Sequence, residues 1–119
     1  MNDFTSLKAW QQSREITKQV YLLTKKLPKE ELFALSSQIR RAMISVSSNL
    51  AEGYGRRTFK DKTHFYDMAQ ASLNEVESQL IVSVDLGFIT DEDYKNIQPD
   101  ILIAHKLIAG LIKSIKEIK

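Results

Sequence analysis

The sequence predicts an all-α fold, an up-down-up-down antiparallel four-helix bundle. Apolar residues recur at spacings of three and four in four separate stretches, the connections between them are short, and no alternating stretch bounded by turn residues reads as a strand. Short connections make successive helices antiparallel neighbours. The 119 residues are 43% hydrophobic and 27% charged, with 4 Gly and 2 Pro. A chain of that size and balance is expected to form one globular domain over residues 1–119, with little loop.

In the first helix the apolar face is Leu7, Trp10, Ile16, Val20, Leu23 and Leu27, with Thr5 or Ser6 as its cap. The second starts after Pro28 and carries Leu32, Leu35, Ile39, Met43 or Ala42, Val46 and Leu50, ending near Gly53 and Gly55. In the third, Phe65, Ala69, Leu73, Val76 and Leu80 follow a cap at Thr58, whose hydroxyl is followed three residues later by Asp61. Gly87, between Leu86 and Phe88, marks its stop. The seam of the fourth is the most regular: Ile97, Ile101, Ala104, Ile108, Leu111, Ile115 and Ile118. Proline lacks an amide hydrogen, so the long helix is expected to begin at about Pro99, after a shorter helical turn opened by Thr90.

Composition excludes several chemistries. With 0 Cys there is no disulfide framework, thiolate metal site or cysteine nucleophile. The longest apolar run, Leu107 to Ile112, is far short of the roughly 20 residues that span a bilayer, and Met1 to Trp10 lacks a signal-peptide layout. A cytoplasmic protein with no membrane association is therefore expected. His64 and His105 are the only imidazoles, and neither belongs to a nucleophile or zinc motif. Asp61 and His64 echo half of a di-iron site, but the second half is missing. Gly53 to Arg57 has the wrong spacing for a phosphate loop. No catalytic residue, metal or cofactor is expected, and no enzyme.

Surface patterning is more informative. Ala42 to Ala51 is a ten-residue run without a charge, and Phe33, Ile44 and Ala51 fall roughly 140° from the main seam on a helical wheel. Leu102, Ile103, Leu107, Ala109 and Ile112 add apolar surface to the fourth helix. A wide bundle core could absorb such residues. Self-association is the favoured alternative, because large exposed apolar patches usually mark contact surfaces. Beside the seam runs a polar stripe, Gln38, Arg41, Ser45, Asn49 and Glu52, facing Ser72, Glu75 and Gln79 of the next helix. Its expected role is structural: such groups satisfy each other across helices, with Arg41 and Glu75 as the pair to test.

Charge is concentrated although the formal net is only +2. Between residues 40 and 62 stand Arg40, Arg41, Arg56, Arg57, Lys60 and Lys62 against Glu52 and Asp61, and Tyr54, Phe59, Phe65 and Tyr66 lie among them. Arginine pairs with phosphate in two-point fashion and aromatics stack on unpaired bases. Arg40, Arg56, Arg57, Lys60 and Lys62 are thus the candidate contacts to RNA or DNA. Against this, the arginines of a solubilising loop look the same. A protein-interaction scaffold without nucleic acid is the alternative function.

Several segments together resemble one family: Phe4 to Trp10, Leu27 to Glu31, Gln38 to Ala42, Ser45 to Gly53, then Ala69, Ser72, Leu73, Glu75 and Leu86 to Phe88. The chain is similar to the four-helix bundle proteins encoded in intervening sequences of 23S ribosomal RNA genes. The Ser-x-x-x-Asn-x-Ala-Glu-Gly pattern at Ser45, Asn49, Ala51, Glu52 and Gly53 is the most specific part. Leu50, Ser6 and Pro99 depart from the family pattern. The resemblance implies an all-helical homopentamer with no established enzymatic activity. A related protein, the accessory factor of diversity-generating retroelements, is a basic pentamer that works with a reverse transcriptase and nucleic acid. On the same ground Arg41, Ser45, Asn49, Glu52 and Gly53 look suited to holding helices or subunits together.

Overall fold

The computed structural model describes residues 3–118, with the backbone alone at 117 and 118. Four helices follow one another: α1 at Lys8–Thr24, α2 at Leu35–Tyr54, α3 at Phe59–Asp85 and α4 at Asp91–Ile118, with no strand among the described residues. Short 3-10 turns at Phe4–Ser6 and Lys29–Glu31 precede α1 and α2. Each helix packs on its sequence neighbour and α4 closes back on α1, while the diagonal pairs stay apart. That is the predicted up-down-up-down bundle, 47 Å long and about 25 Å across.

The core is built by the expected seams. Ile16 and Val20 of α1, Ile39, Met43, Val46 and Leu50 of α2, Ala69, Leu73, Val76 and Leu80 of α3, and Ile97, Ile101, Ala104 and Ile108 of α4 are all buried. Leu111 and Ile115 continue the last seam half-buried, and the side chain of Ile118 lies outside the described residues. Thr58 caps α3 by accepting the Asp61 amide at 3.1 Å. Thr90 and Asp93 form a reciprocal box at 3.0 Å in both directions, which satisfies two of the free amides at the start of α4. Gly87, at φ +77°, ends α3 with the Phe88 amide reaching back to the Ser83 carbonyl at 2.9 Å.

Four expectations need correction. Pro99 does not start a helix: α4 runs through it. Pro99 faces solvent, where water can take the carbonyl its ring leaves unbonded, and burial of Ile97 and Ile101 on the opposite side holds the helix across it. Leu32 is not part of the α2 seam. Ala34 adopts φ −123° and ψ −104°, so α2 begins only at Leu35 and Leu32 is left 48% exposed. Neither Thr5 nor Ser6 caps α1; Asp3 caps the preceding 3-10 turn, accepting from the amide and the hydroxyl of Thr5. Finally, the buried ring at the start of α3 is Tyr66, with Phe65 only half-buried.

Candidate interface surfaces and the α2–α3 turn

The turn joining α2 to α3 carries the basic residues, and its geometry divides them into two kinds. Lys62 reaches back to donate to the carbonyls of Tyr54 at 2.7 Å and Gly53 at 3.3 Å. Its ammonium thereby fills the Tyr54 carbonyl at the negative end of α2 and shares the Gly53 carbonyl with the Arg56 amide, which donates to it at 3.2 Å. Partial burial pushes the Lys62 ammonium below the usual lysine range. Arg56 donates to Glu52 at 2.7 Å and lies 4.6 Å above the Phe65 ring. Both cations are engaged within the chain. Arg57 and Lys60 are exposed and make no ion pair or hydrogen bond among the described residues.

Arg40 stands apart from this group. It lies fourteen residues before Tyr54, the last residue of the same helix, about 21 Å along the axis. There it donates to Thr24 Oγ1 at 2.7 Å and covers the Tyr21 ring at 4.6 Å, tying α1 to α2. Tyr66 is likewise withdrawn from the loop surface into the core. Burial, with Tyr54 as a second cause, raises its phenol above the usual tyrosine range. The aromatics left around the turn are Tyr54, Phe59 and Phe65, each half-buried.

The polar stripe is partly joined across α2 and α3. Ser45 and Ser72 hydroxyls lie 3.0 Å apart, and Gln79 donates toward Gln38 at 3.5 Å and to Glu75 at 3.1 Å. Arg41 and Glu75 are not an ion pair. Arg41 donates instead to Ser37, one turn back on its own helix, at 3.3 Å. The two charges flank a shallow groove of about 380 Å³ floored by Ala42, Ser45 and Ser72, and both are exposed, so water satisfies them without a mutual contact. Asn49 folds onto Ser45, donating to its carbonyl at 2.8 Å and its hydroxyl at 3.0 Å. Gly53 is buried against the Tyr66 ring.

Apolar surface remains outside the core. Phe33 is 92% exposed, and with Tyr21, Leu32 and Ile44 it rims an open cleft of about 450 Å³ whose other walls are Ser37, Arg40 and Arg41. Such a cluster places several large apolar groups side by side in water. On α4, Leu102 and Ile103 are exposed as expected, whereas Leu107 and Ile112 pack partly against the core. Ala51 is half-buried. Sequence patterning did not single out Leu22, which is 64% exposed beside a smaller groove between α1 and α4; it sits outside the heptad-like seam and no charge run drew attention to it.

A polar cluster that matches no sequence motif joins α3 to α4. The Nδ1 of His105 lies 2.6 Å from Gln70 Oε1, its Nε2 lies 3.4 Å from Glu77, and Tyr94 donates to the same carboxylate at 3.2 Å. Burial first, and then the Glu77 charge, pushes the Tyr94 phenol up to about 12. Among the described residues no three His, Asp or Glu side chains gather as a metal would require. No helix among them is long and apolar enough to cross a membrane.

Comparison with known proteins agrees with this geometry. No curated protein matches the chain at a significant level. Among solved structures, a protein of unknown function from the S23 ribosomal protein family of Bacteroides thetaiotaomicron superposes with a TM-score of 0.80 at 28% identity, covering 88% of this chain and 95% of that one. The model of the 23S rRNA-intervening sequence protein family matches residues 5–110. A match over that length includes all of α1 to α3 and most of α4, with the Ser45, Asn49, Glu52 and Gly53 segment inside it, and the chain belongs to the 23S rRNA-intervening sequence protein family.

Proposed function

We propose that this protein is a non-enzymatic bundle that works as a cytoplasmic homo-oligomer and holds RNA or another nucleic acid against its exposed cations. The observation that carries the reading is Phe33, 92% exposed beside Leu32, Ile44 and Tyr21. Covering such a patch removes apolar surface from water at about 25 cal/mol per Å², and a second copy of the chain is the partner always present. Family resemblance sets the expected number of copies at five. Arg57 and Lys60 are the cations of the turn with no internal partner among the described residues. Repeating them around an assembly multiplies the field that draws a polyanion. Arg56 and Lys62 contribute charge to that field while holding the turn, and Arg40 serves the α1–α2 contact.

Sedimentation of the purified protein at micromolar concentration, followed by titration with labelled RNA across a range of salt, tests both halves. The expected result is an assembly whose RNA affinity falls steeply as salt rises. A folded monomer at these concentrations overturns the first half, and salt-independent or absent RNA binding overturns the second. A protein-interaction scaffold is favoured instead by the separate apolar sites at Leu22 and at Leu102 with Ile103, which one self-contact need not cover. Capture of a defined partner polypeptide that survives nuclease treatment supports that alternative.

A further inference from the structure

We infer that the nucleic-acid contact is not confined to the α2–α3 turn but covers one whole end of the bundle, with Lys8 of α1 and Lys113 and Lys116 of α4 as further phosphate-binding residues. The inference rests on the nucleic-acid reading above. What carries it is the register of the helices, which brings together cations far apart in sequence. Gln70 and His105 exchange two contacts, at 2.6 and 3.0 Å, so these residues are level on α3 and α4. Eight residues further along α4 and eight residues back along α3, about 12 Å, Lys113 comes level with Lys62 in the first turn of α3. Gln12 and Gln19 of α1 both bond Asp100, so Lys8 points toward the same end.

Lys8, Arg57, Lys60, Lys113 and Lys116 are all exposed and make no ion pair or hydrogen bond among the described residues. Of the nearby carboxylates, Glu52 holds Arg56 and Asp3 accepts from Thr5, while Asp61 is exposed beside Lys60; the cations outnumber them. At the opposite end the balance reverses: Glu30, Glu31, Asp85, Asp91, Glu92 and Asp93 outnumber Lys25, Lys26, Lys29 and Lys95, and Asp93 and Asp91 hold Lys26 and Lys95. The charge is therefore polarised along the 47 Å axis of a molecule whose formal net is only +2. Such a separation gives a field that a net charge near zero conceals.

The shape of the cationic surface selects the ligand. Its positive groups come from three elements spread over an end face of about 25 by 24 Å, which is wide for a single small anion. A single nucleic-acid strand supplies a phosphate at every nucleotide and so carries charge over that span. Lysine and arginine ends on flexible stems can follow it without base recognition.

The test compares full-length variants by the salt dependence of their affinity for a labelled mixed-sequence single-stranded RNA. Lys113→Gln with Lys116→Gln should lower the slope of log K against log salt by about 1.4, two contacts at about 0.7 each. Lys25→Gln with Lys29→Gln, which removes the same charge at the acidic end, should leave the slope unchanged. An unchanged slope for the α4 pair, while Arg57→Gln with Lys60→Gln lowers it, overturns the inference and leaves the turn as the contact. Absence of RNA binding by the unaltered protein overturns the inference together with the reading beneath it. If the α4 pair loses its sedimenting assembly with no change of slope, the lysines are contacts between copies and the inference is again overturned.

Discussion

Gly53 of α2 lies so close to Tyr66 of α3 that a Cβ at position 53 would sit 2.6 Å from Tyr66 Cε1 and 2.9 Å from Cδ1, with the Phe65 Cβ at 3.1 Å. Cβ atoms essentially never sit within 3.0 Å of a neighbouring heavy atom, and the first two of these distances are shorter. The hydrogen of glycine is what lets α2 and α3 cross this tightly just before the turn that carries Arg57 and Lys60.

Gly53→Ala should therefore destabilise the bundle by about 1–3 kcal/mol, the usual cost of overpacking a buried site. Chemical denaturation measures it. The cost should shrink when Tyr66 is first replaced by Leu, which removes the opposing ring. An equal cost in both backgrounds would show that the Tyr66 contact is not its source.

Phe33 makes little contact within its own chain, so Phe33→Asp should change the stability of the isolated subunit by no more than about 0.5 kcal/mol. If the cleft at Tyr21, Leu32 and Ile44 is a contact between copies, the same substitution should dissociate the assembly. Thermal unfolding at low concentration and analytical ultracentrifugation separate the two effects. Retention of the full assembly mass would remove Phe33 from the interface.

Arg41 and Glu75 should show no energetic coupling. A double-mutant cycle with Arg41→Ala and Glu75→Ala is expected within about 0.3 kcal/mol of zero, the spread seen for independent sites. The Ser45 and Ser72 pair, at 3.0 Å and half-buried, should couple by about 0.5–1.5 kcal/mol. Reversal of this order would place the cross-helix link at the charges.

Tyr94 provides a pH dependence with a definite sign. Its phenol moves from an ordinary 10.0 up to about 12 because burial and the Glu77 carboxylate disfavour the phenolate. A group raised in the folded state contributes stability that is complete below the unfolded value and is lost as pH rises through the folded one. Stability should thus decline between about pH 10 and 12, and Tyr94→Phe should flatten that decline. Denaturation midpoints across this range check it, with phenolate absorbance reporting the titration directly. A slope indifferent to Tyr94→Phe would assign the loss to other groups.

How much of this was legible before folding follows from range. Ile39, Val46, Leu73, Leu80, Ile101 and Ile108 announce their burial because a helix that faces a core repeats apolar residues every three or four positions. The caps at Thr58 and Thr90 and the stop at Gly87 were equally readable, since each depends on backbone groups within a few residues. Pro99 carries a local penalty visible in the sequence, whereas the burial of Ile97 and Ile101 that outweighs it depends on the other helices.

From the residues alone came the four helices, their antiparallel order, the exposed Phe33 and Ile44, and the family pattern around Ser45 to Gly53. Tertiary structure alone decided that Lys62 and Arg56 are spent on the turn, that Arg40 belongs to α1 and α2, that Arg41 turns to Ser37, and that Lys8 and Lys113 share an end with Arg57. Helical periodicity is a property of neighbours along the chain. The rotation and register of one helix against another are set by packing between residues tens of positions apart, and a one-dimensional pattern holds no record of which of them meet.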